Sequence, residues 1–525
     1  MKYALNASQA KEIDRYTIEK IGIPSVVLME KAAMGVAYAV REMADHSDAV
    51  IAVCGTGKNG GDAIAAARIL AMAGYSVKLR ILGDLKTAAP EMKKQLKIAK
   101  NVGIKVLKKV NYADFRIVID GIFGIGLSRQ ITGDIYKEIE KINAARLRTV
   151  AVDVPSGVGA DDGRIFGIAV RADVTVTFGS IKTGCLLYPG AEYAGRVVIW
   201  DIGTNNSALE VPPTTFYYDE DPELLLPARK ANSNKGTYGR VLVAAGSKNM
   251  AGAAYLAAAA AYRMGAGLVR VLTTSDNREI IQKKLPEAVL TTYEVTENGS
   301  LKEESIPDIK EAIEWASVIL IGPGIGQKGA AASILNYCLS ECNVPLIIDA
   351  DGLNILARLI TEKAGAGATF EDRIKVLSDM LPPGTILTPH KKELSRLTGV
   401  SLAELSLCLW SAAEKCTDGN ELIFVKKDVR SIVSFGHSNY INVTGNDGMA
   451  TGGSGDVLGG IIAGLIAQGE SRKAAAMTGC YIHGLAGNAA CAKTGARSML
   501  AGDILEAIPG VISQNTIKKE NSGNE

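Results

Sequence analysis

Residues 55–62 read GTGKNGGD, between the apolar run AVIAVC at 49–54 and the alanine-rich AIAAARILAMAG at 63–74. The first flank predicts a buried strand and the second a helix, which puts the glycines in a strand-to-helix turn. Gly55, Gly57 and Gly60 keep the G-x-G-x-x-G spacing, where bare backbone lets a pyrophosphate approach a helix N-terminus. The next strand, VKLRILGD, ends in Asp84, placed where an acid would meet an adenosine ribose. Asp62 disagrees: expected in the first helical turn, it suits the helix dipole but would repel a nearby phosphate. A tight turn in which glycine serves only the backbone is the competing reading.

Working outward, VIAVC, VKLRIL, RIVID, TVAVDV, VTVTFG and RVVIWDI alternate with helical segments from residue 50 to about 200. That rhythm predicts an α/β domain with a parallel, Rossmann-like sheet. Residues 8–45 form a mostly helical preface in which LMEKAAMGVAYAV has the apolar spacing of a packed helix. After WDIG the chain turns polar and proline-bearing through TNNSALEVPPTT and DPELLLPARKANSNKG, the expected linker, with a boundary near 215–225. RVLVAAGS, GLVRVLT, SVILIGPG, VPLIIDADG, GTILTPH and ELIFVK then alternate with helices as a second doubly wound domain. The expected domains are 1–218 and 222–515, with 516–525 a frayed polar tail.

A chain of 525 residues is too long for one ordinary core. Lys+Arg 58 against Asp+Glu 56, without a basic block, argues against a nucleic-acid partner. No C-x-x-C pair occurs among the eight cysteines, and reduced buried thiols are expected. The charged N-terminus and the short apolar runs, MAGAAYLAAAAAY at 250–262 among them, predict a cytoplasmic protein with no membrane partner. Small molecules are the expected partners, and a homo-oligomer is expected.

Three strand ends of the first domain carry polar groups: the glycine turn with Asn59, IDGIFGIGLSRQ with Asp120, and VDVPSG with Asp153 and Ser156. Asn59, Asp120 and Ser156 are oxygen donors suited to a hard cation or a polar network. Each also has a structural alternative, Asp120 and Asp153 as helix caps and Ser156 in the turn after Pro155. In NVTGNDGMATGGSGDVLGG, Gly452, Gly453 and Gly455 precede a long apolar helix with Asp456 in its first turn. An anion cradle beside a carboxylate able to accept a hydroxyl proton suits phosphoryl transfer. His390 in LTPHKKEL is a lone histidine without metal-ligand spacing, and Asp349 and Asp351 in IDADGLN could position magnesium.

Taken in order, LMEKAA, GTGKNGGD, DGIFGIGLSR, VDVPSG, FGSIKTG and WDIG, then NKGTYGRVLV, GAGLVRV, IGPGIGQ, DADGLN, LTPHKKEL, GNDGMATGGSGDVLGG and IHGLAG, resemble the bifunctional NAD(P)H-hydrate repair enzymes over nearly the whole chain. The resemblance implies an NAD(P)HX epimerase fused to a ribokinase-like, ADP-dependent NAD(P)HX dehydratase. It implies hydrate contacts at Lys58, Asn59, Gly60, Gly61, Asp62, Gly124, Ile125, Gly126, Leu127, Ser128, Arg129 and Gln130, with Asp153 as acid/base and potassium held by Asn59, Asp120 and Ser156. In the second half it implies hydrate contacts at Ala253, Gly324, His390 and Asp456, with Asp456 also catalytic, and nucleotide contacts at Gly455, Lys426, Lys427, Asp428, Val429 and Arg430. Two departures stand out. Lys58 replaces the family's usual asparagine, and KKDVR replaces a lysine followed by glycine and small residues. Asp428 would bring negative charge towards the nucleotide, which leaves ATP as the alternative to ADP. The rival function is a small-molecule kinase of the ribokinase-like type fused to a non-catalytic dinucleotide-binding domain.

Overall fold

The computed structural model describes residues 1–204, 209, 212–218, 226–365, 367–407, 409–410 and 415–522. The chain divides into two compact units, Lys2–Phe216 and Tyr217–Glu525. Residues 205–208, 210–211 and 219–225 of the expected linker lie outside the described residues, as do 523–525 of the expected tail. The helix Ala501–Ser522 runs through the remainder of that tail.

The first unit begins with β1 (Lys2–Leu5), α1 (Ala7–Tyr16), α2 (Ser25–Met43), β2 (Ala49–Cys54) and α3 (Lys58–Met72). It continues through β3 (Ser76–Ile81), β4 (Lys105–Val106), β5 (Ile117–Gly121), β6 (Arg148–Val152), β7 (Val174–Phe178), β8 (Ile181–Lys182) and β9 (Arg196–Trp200), and β10 (Thr215–Tyr217) falls at the division between units. Seven strands form a parallel sheet in the order β4-β3-β2-β5-β6-β7-β9. Outside it, β1 pairs in parallel with β8, Ala4 opposite Ile181.

Alternation along β2 explains its continuous apolar run. Val50, Ala52 and Cys54 pack with Ala33, Val36 and Val40 of α2 and Ala63, Ala66 and Leu70 of α3. Ile51 and Val53 face the other way, towards Val118, Ile139 and Ile142. A strand covered on both faces has no polar side to show. Strand order reverses between β2 and β5, so the loops leaving their C-terminal ends diverge and open a crevice. The glycine turn needs space as well as freedom. A Cβ on Gly55 would lie 2.0 Å from the Ile122 carbonyl oxygen, and one on Gly60 would lie 2.0 Å from that of Gly55.

In the second unit β11 (Arg240–Ala244), β12 (Leu268–Thr274), β13 (Val289–Tyr293), β14 (Val318–Ile321), β15 (Leu346–Ile348), β16 (Ile386–Leu387), β17 (Ile423–Lys426), β18 (Ile432–Phe435) and β19 (Ser438–Ile441) run in the order β13-β12-β11-β14-β15-β16-β17-β18-β19. Pairing is parallel up to β17 and antiparallel across β17–β18 and β18–β19. The order again reverses, here between β11 and β14. Sequence patterning missed β13 and the β18–β19 hairpin, because these short strands mix polar and apolar residues. The apolar stretch at 250–262 is a packed helix, Ala251–Arg263, lying against the helix Ser454–Ala467. A Cβ on Gly460 would lie 2.1 Å from the Ala257 carbonyl oxygen, so small residues here let two backbones touch. No helix among the described residues is long and apolar enough to cross a membrane.

Candidate active sites

A cavity of about 750 Å³ opens at the reversal point of the first sheet. Thr56, Gly57, Lys58, Asn59 and Asp62 line it from the glycine turn and α3, Ile122 to Leu127 from the loop after β5, and Asp153 from the end of β6. Lys11, Asp14 and Arg15 of α1 add a charged wall. At the base of the 122–127 loop Asp120 is fully buried. The Ser156 hydroxyl donates to one of its oxygens at 2.6 Å and the Ser156 N–H to the other at 2.8 Å. That hydroxyl oxygen accepts the Phe123 N–H at 2.8 Å, while Asn59 Nδ2 donates to the Phe123 carbonyl at 2.9 Å. Asp120 has no cationic partner among the described residues, and burial pushes its carboxyl up to about 6 despite the donors from Ser156 and Ile122. One carboxylate among neutral oxygens balances a single positive charge, so this set fits a hard monovalent cation.

Asp153 holds a backbone φ of +66°, a left-handed conformation that costs a non-glycine residue about 1 kcal/mol or more. Its N–H bond to the Val176 carbonyl at 2.8 Å anchors it there. Oδ1 lies 2.7 Å from Lys182 Nζ and accepts the Thr177 hydroxyl at 3.1 Å. Lys182, 3% exposed, also donates to the Phe178 and Ser180 carbonyls at 2.9 and 3.2 Å. Burial holds the Asp62 carboxyl well above the usual range, and the charges of Asp153 and Asp14 raise it further against Lys58. Burial also raises Asp14, opposed by Lys182 and Lys58 and assisted by Asp153. Asp62 is the fifth residue of α3, and no acid falls in that helix's first turn. The expected clash with a phosphate at the helix start is therefore removed by one turn of spacing.

In the second unit the helix Ser454–Ala467 starts at Gly453, whose φ is +91° and which offers no side-chain cap, so its first N–H groups have no side-chain acceptor there. Asp456 sits in that first turn. Its carboxyl is pushed up to about 7 by burial and by Asp349, against the lowering effect of Lys427. Lys427 Nζ lies 2.5 Å from Asp349 Oδ1, and a Cβ on Gly455 would come 3.2 Å from that ammonium. Asp349 also caps the helix Ala350–Ala364, accepting the Ala350 N–H at 2.8 Å. Asp351 accepts from the Gly326 N–H at 2.9 Å and the Gln327 amide at 2.8 Å. Both carboxylates of IDADGLN are thus engaged by protein donors, and among the described residues no group of three or more His, Cys, Asp or Glu gathers to hold a metal.

A family model described as NAD(P)H-hydrate dehydratase matches residues 241–510, and one described as YjeF-related protein N-terminus matches residues 25–184. The chain is 34% identical over 537 residues to the bifunctional NAD(P)H-hydrate repair enzyme Nnr of Moorella thermoacetica, across 97% of this chain and 96% of that protein. It belongs to the bifunctional NAD(P)H-hydrate repair enzymes. Enzymes of the same name from Thermofilum pendens and Escherichia coli are 33% and 29% identical, over 97% and 98% of this chain and 96% and 94% of their own. Among solved structures, an ADP/ATP-dependent NAD(P)H-hydrate dehydratase of Bacillus subtilis co-crystallised with ATP/Mg2+ is 29% identical, over 56% of this chain and 95% of its own, with a TM-score of 0.46.

Within this repair-enzyme framework the structure sorts the expected site residues. Lys58, Asn59, Asp62, Gly124, Ile125, Gly126, Leu127 and Asp153 line one cavity. Gly60 and Gly61 do not. They pack against Gly55 and Met29, where a side chain would collide. Ser128, Arg129 and Gln130 are exposed and lie outside the cavity wall, because the loop has already turned away after Leu127. Asp84 is absent from the wall as well. It caps the turn Leu85–Thr87, accepting the Lys86 N–H at 2.9 Å.

Ala253 and Gly324 do meet, since a Cβ on Gly324 would lie 3.0 Å from that of Ala253. His390 caps the helix Lys391–Thr398, its Nδ1 accepting the Lys392 and Glu393 N–H groups at 3.1 Å. Its half-exposed ring adjoins Lys427, which with burial lowers its pKa. Lys426 and Lys427 point apart: Lys426 Nζ donates to the Ser434 hydroxyl at 2.6 Å, and only Lys427 reaches Gly455. Asp428 is neutralised by Lys391 at 2.7 Å, and Val429 is 65% exposed. The Arg430 guanidinium donates to the Val443 carbonyl. Sequence reasoning missed Asp14 and Lys182. A lysine among small residues at a strand end, in FGSIKTG, was the available signal for Lys182. Asp14 sits in a charged helical stretch that reads as a solvated face.

Proposed function

We propose that the first unit interconverts the R and S epimers of NADHX and NADPHX, and that the second dehydrates the S epimer with ADP, giving NAD(P)H, AMP and phosphate. One observation carries this reading. Each unit sets a carboxyl and a lysine near a helix N-terminus open to an anion: Asp153 with the buried Lys182, and Asp456 with the partly buried Lys427, whose charge acts on it. In the first unit the α3 start and Lys58 suit the pyrophosphate, and Asp153 exchanges a proton with the C6 oxygen as that oxygen leaves or returns. Water then adds back to the planar iminium. Asn59, Asp120, Ser156 and the Phe123 carbonyl would hold potassium, whose charge would neutralise Asp120 and draw the loop around the substrate.

In the second unit Asp456 takes the C6 hydroxyl proton as that oxygen attacks the terminal phosphorus of ADP, and the helix N-terminus and Lys427 balance the developing charge. Loss of phosphate from C6 and a proton from C5 restores the double bond. Ala253, Gly324 and His390 would bound the hydrate, and Gly455 the nucleotide. Magnesium would travel on the nucleotide's phosphates, because Asp349 and Asp351 are already engaged. With Asp428 paired to Lys391, its charge does not bar either ADP or ATP. The test is incubation of the purified protein with mixed R and S hydrates, with and without ADP, following reduced-nicotinamide absorbance. Complete recovery that requires ADP is expected. Recovery that stops at the S fraction would remove the epimerase, and phosphate retained on the product would indicate a kinase.

A further inference from the structure

The cavity of the first unit adjoins a second chamber of about 50 Å³, room for a few water molecules if polar groups hold them. Asp14, Ile125, Asp153 and Phe178 line both spaces and so form the partition between them. Lys182 and Thr204 add polar groups on the chamber side. Asp14 has no structural task that accounts for it. Among the described residues its carboxyl accepts no hydrogen bond and joins no ion pair, although burial disfavours its charge. The groups facing it are Lys58 and Asp62 from α3, Asp153 after β6 and Lys182 on β8, with Lys11 and Arg15 nearby on its own helix.

Epimerisation at C6 sets a requirement that one carboxyl cannot meet in a fixed pose. The oxygen leaves from one face of the ring and water adds to the other. A proton must therefore be delivered on the first face and withdrawn on the second, with the planar ring in between.

We propose that Asp14 is a second proton carrier of this site, paired with Asp153 across the nicotinamide ring, and that the small chamber takes up the water that leaves and supplies a different one from solvent. The inference rests on the epimerase reading above. From R to S, Asp14 as the acid protonates the C6 hydroxyl, and the C6–O bond breaks as the ring nitrogen forms a double bond to C6. A second water bonds to C6 from the opposite face and loses its proton to the Asp153 carboxylate, which touches the Lys182 ammonium. One water leaves, one enters, and one proton passes from Asp14 to Asp153. The reverse reaction returns the proton, or the chamber waters relay it back.

The test uses the full chain, pure R hydrate and no ADP, with initial rates measured across roughly pH 5 to 9 in 18O-labelled water. The wild type should show a two-limbed profile and gain one labelled oxygen per conversion. Asp14→Asn should convert R to S at least ~100-fold more slowly and lose one limb, and Asp14→Glu should regain part of the rate with that limb displaced. Ala10→Val, which narrows the chamber, should slow conversion and leave both limbs in place. Amide hydrogen exchange of β2, β5 and β6 reports that the first unit of each variant is folded. Asp14→Asn with both limbs intact overturns the proposal, whether its rate is near wild type or reduced. If that variant does not fold, an unshifted profile in Asp14→Glu overturns it instead. A wild type that converts nothing sinks the epimerase reading itself, a result distinct from any failure of Asp14.

Discussion

Asp349 and Lys427 act on the proposed base in opposite senses, so removing each should move the pH profile of dehydration in opposite directions. Asp456 stands at about 7, raised by burial and by Asp349 and lowered by Lys427. A general base works ionised, so kcat/KM should climb through about pH 7 and stand near a tenth of its plateau one unit below. Lys427→Met removes an opposing charge, the kind of neighbour that shifts a carboxyl by about 1–3 units at close range. The limb should then move to about pH 8–10, and the rate at pH 7 should fall by about 5- to 500-fold. Asp349→Asn should carry the limb below 7. Lys427→Met also strands a buried carboxylate at a cost of about 3–5 kcal/mol, which the double variant Asp349→Asn/Lys427→Met avoids. The assay is recovery of reduced-nicotinamide absorbance from S hydrate at saturating ADP. Reading the position of the limb rather than its height separates this effect from any loss of nucleotide binding. Two single variants that moved the limb in the same direction, or left it in place, would refute Asp456 as the base.

Asp456→Asn should abolish ADP-dependent recovery and leave epimerisation intact. It should also stabilise the protein near neutral pH by at most about 4 kcal/mol, because a carboxyl raised on folding carries a penalty that grows from about pH 4 to about 7; thermal melts against pH check this. Asp153→Asn should block R-to-S conversion, and mixing it with Asp456→Asn should restore full repair of a racemic hydrate. Early rates on pure R hydrate, corrected for the spontaneous reaction, are the readout. Asp120→Asn should abolish potassium dependence of epimerisation without affecting dehydration, measured by titrating potassium against a tetramethylammonium background. Residues 1–218 and 222–525, expressed separately, should each fold and keep one activity. Failure of both fragments would mean that the units depend on each other.

Much of the architecture is readable in one dimension because strands buried on both faces need unbroken apolar runs. AVIAVC and RIVID announce β2 and β5, and the glycines between AVIAVC and α3 announce a turn with no room for side chains. Glycine is demanded there by space as well as by an anion, so the spacing alone serves both readings. Convergence at strand ends was legible for the same reason. In a parallel sheet every loop after a strand emerges on one edge, which brings Asn59, Asp120, Asp153 and Ser156 together from positions far apart in the chain.

Side-chain direction and the third dimension decided the rest. Adjacent lysines look alike in KKDVR, but a strand sends neighbours to opposite faces. Lys426 therefore goes to Ser434 while Lys427 goes to Asp349 and the start of the Asp456 helix. Asp428, a misplaced charge in the sequence, is harmless once folding brings Lys391 to it. Asp14 lies in an ordinary charged helix until α1 packs at the mouth of a sheet that starts over thirty residues later, and only there does burial change its chemistry. Local pattern specifies which residues are strand, helix or turn because those choices depend on neighbours in the chain. Protonation and partnership depend on which distant groups share a low-dielectric space, and packing alone settles that.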